Sequence, residues 1–120
     1  MTINQYMKLF KIIGLLLLFN LSSCSKVEKP KITFIELGSV KCKPCIRMQE
    51  VIKKVEEKYP TQVKTIFYDV WTKEGEPYAE KYHIDLIPTQ VFLDKNGKEY
   101  FRHEGYFPFE ELEKVLLEKM

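Results

Sequence analysis

The sequence predicts an α/β domain in the order β-α-β-α-β-β-α. Three observations carry that prediction. Short β-branched and aromatic runs alternate with stretches of helical period, as strands linked by helices do. The last two strand-like runs are joined by Asp94-Lys95-Asn96-Gly97, whose Asn-Gly supplies positive φ and makes the two strands an antiparallel hairpin. The composition, 45% hydrophobic and 30% charged, is that of a globular domain. It argues against a disordered tail, a collagen-like fibre or a multi-pass membrane protein. The 120 residues bound the chain to one domain, and three cysteines are too few for a disulfide-stapled miniprotein.

The first segment reads as an export signal outside that domain. Lys8 and Lys11 give it a positive start, and Ile12 to Leu21 form an apolar run broken only by Gly14 and Asn20. At about 1.5 Å per residue the run covers half of a bilayer core. That suits a signal peptide better than a transmembrane helix; an uncleaved anchor is the alternative. The run ends in Leu21-Ser22-Ser23-Cys24, which resembles the bacterial lipobox. The resemblance implies that residues 1–23 are a lipoprotein signal peptide and that Cys24 is lipidated. Ordinary cleavage, leaving Cys24 free, is the alternative. Residues 24–30 are then a short polar linker, and 31–120 are the domain. Removing residues 1–23 takes away two of 19 basic residues and none of 17 acidic ones. The mature charge is therefore balanced, and nothing argues for nucleic-acid binding.

The elements follow in order. Lys31 to Leu37 (KITFIEL) is the first strand, with Glu36 an odd resident, and Gly38 to Lys41 is a loop. Lys43 to Lys58 is a helix, because Met48, Val51, Ile52, Val55 and Tyr59 make one apolar stripe. Pro44 suits its first turn and Pro60 ends it. Gln62 to Val70 is the second strand, and Pro77 opens a short helix through about His83. Thr89 to Leu93 (TQVFL) and Lys98 to His103 are the third and fourth strands. Pro108 to Lys119 is a helix with Phe109, Leu112, Val115 and Leu116 inward.

The chemistry sits in Cys42-Lys43-Pro44-Cys45, where the first strand's loop meets the first helix of the domain. A helix N-terminus offers unpaired N–H groups and about half a positive charge, which stabilises a thiolate. Cys42, at the helix edge, is the expected nucleophile. Cys45, one turn later, is more buried and is the resolving thiol. The alternatives are half of a zinc site and a purely structural disulfide. Zinc wants four ligands, and no second pair of suitable spacing exists beside one CxxC, His83 and His103. A CxxC beside a β-α-β pattern reads as a redox motif.

CKPC at a strand-to-helix junction, Ile87-Pro88-Thr89 before the third strand, Gly105 after the fourth and a terminal helix occur together. In this combination the segment from Lys31 onward resembles the thioredoxin superfamily. The resemblance implies the thioredoxin fold, a central four-stranded mixed sheet flanked by helices. It makes Cys42 the attacking thiol, Cys45 the resolving one and Pro88 the family's cis-proline against the disulfide. Lys41, Lys43, Pro44, Ile87 and Thr89 become the positions around the substrate, with the Ile87 backbone pairing to an extended chain. Glu36 falls at the family's buried acid, where burial raises its pKa and lets it exchange a proton with Cys45. The alternative for Glu36 is an edge-strand residue facing water.

Lys41 and Lys43 depart from cytoplasmic thioredoxins, which have tryptophan and glycine there. Two cations beside Cys42 favour its thiolate and a higher potential; solvated loop charge is the alternative. Trp71 is read as local packing, with a place bordering the active-site groove as the alternative, and His83 and His103 as surface or helix-end residues. The resemblance thus implies a membrane-anchored, extracytoplasmic thiol–disulfide oxidoreductase. A net reductant of exported proteins with disulfides is favoured, apocytochrome c among the candidates. A membrane thiol-electron donor would feed it. No cofactor beyond the Cys42–Cys45 disulfide, no metal, and a monomer are expected. An oxidant or isomerase, and a copper-binding chaperone of the same fold, remain the other readings.

Overall fold

The computed structural model describes residues 3–17 and 25–120. Leu21-Ser22-Ser23-Cys24, with the expected lipidation site, lies outside the described residues. Helix α1 (Ile3–Leu17) comes first. The domain follows as β1 (Ile32–Gly38), α2 (Lys43–Lys58), β2 (Val63–Asp69), α3 (Glu76–Lys81), β3 (Thr89–Leu93), β4 (Glu99–Glu104) and α4 (Phe109–Leu117). This is the predicted order, with ends moved by a residue or two.

The four strands form one sheet in the order β2-β1-β3-β4. β1 runs parallel to β2 and antiparallel to β3, and β3 is antiparallel to β4, so the sheet is mixed. β1 is therefore central, which excludes the edge-strand reading of Glu36. Side chains alternate across its pleat. Ile32 and Phe34 face one layer with Met48, Val51, Ile52 and Val55 of α2 and Leu112, Val115 and Leu116 of α4. Ile35 and Leu37 face the other, with Val91, Tyr78 and Ala79 of α3, and Ile87. Helices cover both faces, and every position of the predicted α2 stripe is buried.

Two boundaries differ for a physical reason. Gly38, expected in a loop, is the last residue of β1, because it stays in register with Asp69 of β2. At the far end Gly105, in the left-handed region at φ 89°, turns the chain out of β4. Its N–H donates to the carbonyl of Pro88 at 2.7 Å, which ties that turn to the loop before β3.

Candidate active site

Cys42 is the N-cap of α2, in extended conformation, with no side chain capping the helix. Lys43 and Pro44 fill the first turn, and the first N–H groups of the helix point toward Cys42. Cys42 and Cys45 are joined as a disulfide with Cα atoms 5.2 Å apart. Cys42 keeps 8% exposure and Cys45 none. Attack from solvent therefore reaches Cys42 first, and Cys45 serves only a partner already on Cys42. Lys41, Lys43 and Pro44 are exposed around the pair.

Gly38 explains how the pair is seated. A Cβ built there would lie 3.2 Å from both Cβ and Sγ of Cys45. The end of β1 thus touches Cys45 from below. Glu36, two residues earlier on the same face, lies about 7 Å deeper along the strand. It is 1% exposed, and among the described residues its two carboxyl oxygens have no hydrogen-bond partner. Burial raises its pKa to about 8, and the Gln90 amide pulls the other way. Gln90 is the cross-strand neighbour of Glu36 on β3.

The Ile87–Pro88 bond is cis, as the resemblance implied. Pro88 is buried, and Ile87 is half-buried just ahead of the β3 ladder. The Thr89 side chain is fully buried, and its hydroxyl donates to the Leu86 carbonyl at 2.6 Å, which clamps the 86–89 loop.

Trp71 is a correction to the packing reading, because it is exposed. Asp69 holds its loop beside the cysteine loop. The carboxylate accepts the N–H of Val40 at 3.2 Å and of Trp71 at 3.1 Å. Partial desolvation opposes ionisation of Asp69, yet these bonds outweigh it and hold its pKa below the ordinary value. Val40, Ile46 and Leu86, exposed with Trp71, belong to the loops and first helical turn at this end of the sheet. Among the described residues no group of three or more His, Cys, Asp or Glu side chains is placed to hold a metal.

Comparison with known families finds that residues 20–119 match the thioredoxin-like domain. The chain belongs to the thioredoxin-like family. Its Cys42–Cys45 pair is that of a thiol–disulfide oxidoreductase. Solved structures agree on the fold. Thioredoxin-2 of a malaria parasite, described as a component of its protein secretion machinery, aligns with TM-score 0.68 at 16% identity, over 76% of this chain and 85% of that one. Fasciola hepatica thioredoxin aligns with TM-score 0.66 at 24% identity, over 77% and 84%. Mitochondrial thioredoxin 3 of Saccharomyces cerevisiae aligns with TM-score 0.63 at 26% identity, over 77% and 82%. Comparison with curated protein sequences finds no match.

Two polar residues of this thioredoxin-like domain escaped the sequence reading. Gln90 is fully buried beside Glu36, and His103 is a half-buried residue of β4 instead of an ordinary surface histidine. The available signal was a glutamine at an apolar position of TQVFL, two residues past Pro88.

Proposed function

We propose that this protein is a membrane-anchored, extracytoplasmic reductant of disulfides in exported proteins. The graded exposure of the two cysteines carries the exchange step. The Cys42 thiolate attacks one sulfur of a substrate disulfide. That S–S bond breaks, one substrate thiolate leaves, and a mixed disulfide with Cys42 forms. Cys45 gives up its proton, with Glu36 as acceptor, and its thiolate attacks the sulfur of Cys42. The second substrate thiol is released, and the protein keeps the Cys42–Cys45 disulfide. Two electrons have passed to the substrate, and a membrane thiol donor restores the dithiol.

Exposed Val40, Ile46, Trp71 and Leu86 offer apolar contact to an unfolded chain, and Ile87 offers its backbone for strand-like pairing. Lys8, Lys11, the following apolar run and Leu21-Ser22-Ser23-Cys24 support export and a lipid anchor. Apocytochrome c and other exported thiol proteins are the substrate classes this reading admits. Lys41 and Lys43 favour the second reading, an oxidant, because cations beside Cys42 stabilise the reduced form.

Two measurements test the proposal. Cys45→Ser is expected to accumulate covalent adducts of exported proteins on Cys42, released by dithiothreitol; their absence would end the exchange mechanism. Thiol trapping of the full chain across a glutathione or dithiothreitol series gives the reduction potential. A value near about −270 mV or lower supports a reductant, and one near about −120 mV makes the protein an oxidant.

A further inference from the structure

Three polar side chains cross the sheet in one row. Glu36 of β1 pairs in register with Gln90 of β3, and Gln90 pairs with His103 of β4. Paired residues project to the same face, here the face covered by α2 and α4. A polar row inside an apolar layer is costly unless its members satisfy one another. Gln90 and His103 do: His103 Nδ1 and Gln90 Oε1 are 2.9 Å apart, and Gln90 Nε2 donates to the Gly105 carbonyl at 3.1 Å. Glu36 does not.

The donor and acceptor roles follow from chemistry. A backbone carbonyl only accepts, so the amide nitrogen of Gln90 faces Gly105. The amide oxygen then faces His103, so Nδ1 must carry the hydrogen. Nε2 has a second N–H that Gly105 does not use, and Gln90 is the direct cross-strand neighbour of Glu36 on the same face.

The row is fixed from above. The His103 ring stacks on Phe107, centroids 4.0 Å apart and planes 8° apart. The Phe107 N–H donates to Met48 Sδ of α2 at 3.2 Å. Gly105, which takes the other end of the amide, is held to Pro88. The amide is thus clamped between the cysteine-bearing helix and the cis-proline loop. The groups facing the row are few. β2 presents Phe67 to Glu36, and Gly38 places Cys45 above it. Arg102 and Glu104 alternate to the other face of β4.

We propose that Gln90 and His103 are positioning residues for the buried acid: the Nδ1–H of His103 orients the Gln90 amide so that its unused N–H is presented to the Glu36 carboxylate, which sets how readily Glu36 takes the proton of Cys45. The inference rests on the proposed role of Glu36, and its test does not depend on turnover.

The test is the carboxyl titration of Glu36 in the full chain, oxidised, with 13C-labelled glutamate, assigned by its loss in Glu36→Gln. His103→Phe keeps the stack on Phe107 and removes the N–H. Gln90→Met keeps the volume and removes the amide. Both variants are expected to raise the Glu36 midpoint by about half a pH unit or more, because the neighbouring amide N–H dipole that favours the carboxylate is removed in one and no longer held in place in the other. The pH profile of Cys45 alkylation in the reduced chain is expected to move with it, and not to move further when either change is added to Glu36→Gln. An unmoved midpoint in His103→Phe overturns the proposal, even if Gln90→Met does not fold. A profile that shifts equally in the Glu36→Gln background overturns it too, by showing a merely structural effect. If the midpoint moves while Cys45→Ser traps no substrate, the positioning stands and the proposed function fails.

Discussion

Glu36 is where one residue sets a property of the whole domain. Its pKa is raised from 4.5 to about 8, by burial first, with the Gln90 amide opposing. The unfolded chain loses this proton near 4.5, whereas the folded chain keeps it until about 8. Across that window the folded state binds more protons. The stability it contributes is therefore complete below 4.5 and is lost as pH rises toward 8, at about 1.4 kcal/mol per pH unit. Urea unfolding at pH 5 and at pH 8 checks this. Wild type is expected to lose on the order of 3 kcal/mol relative to Glu36→Gln, and parallel behaviour of the two proteins would refute the assignment. The same acid sets the chemistry. At pH 7 it is mostly protonated, so resolution by Cys45 is expected to quicken toward pH 8 in wild type. The Glu36→Gln variant is expected to lack that rise, as stopped-flow release of substrate thiol would report.

The junction of β1 and α2 is the element on which the site depends. Gly38 lets the strand end directly under Cys45, where an added side chain would be tight. An added Cβ would press on Cys45 Cβ and Sγ at 3.2 Å and on the Phe67 ring at 3.4 Å. Gly38→Ala is therefore expected to lower stability by about 1–3 kcal/mol, the range for overpacking, and to change the rate at which dithiothreitol opens the disulfide. Thermal unfolding and thiol trapping read the two effects, and a neutral variant would mean that the joint yields easily. This junction also marks how far the sequence could be read. Pro44, the five-residue apolar stripe and Pro60 define α2 by local period and punctuation, so its Lys43–Lys58 span was legible. Cys42, Cys45 and Pro88 were legible because short motifs carry them. Gly38 was misplaced because Gly-Ser reads locally as a loop, whereas pairing with Asp69 extends the strand. Gln90 and His103 were missed because their meeting depends on register across three strands. Trp71 was misread because aromatic residues are usually packed, and only the Asp69 bonds show its loop held outward.

At the scale of the whole molecule the unresolved balance is apolar surface. Ile3, Tyr6, Met7, Leu9 and Phe10 of α1 are all exposed, Ile3 at 80% and Phe10 at 78%. A mature domain of balanced charge has no use for that surface in water, where each fully exposed large apolar side chain forgoes about 1.5–3 kcal/mol of burial. Among the described residues no helix is long and apolar enough to cross a membrane. On the proposed reading the segment is a temporary address, and acyl chains on Cys24 replace it as the membrane attachment. Chains of that kind contribute about 0.8 kcal/mol per buried methylene, so more than one holds the domain stably at the surface. Cys24→Ser is then expected to leave the fold and the Cys42–Cys45 exchange intact while blocking lipidation. Fractionation of cells expressing the full chain separates the possibilities. Wild type should sediment with membranes and gain mass from lipid at Cys24, and a wild-type chain without lipid removes the acyl anchor from the account. A wild-type chain that stays in the membrane with residues 1–23 attached and no lipid instead makes the α1 segment an uncleaved anchor.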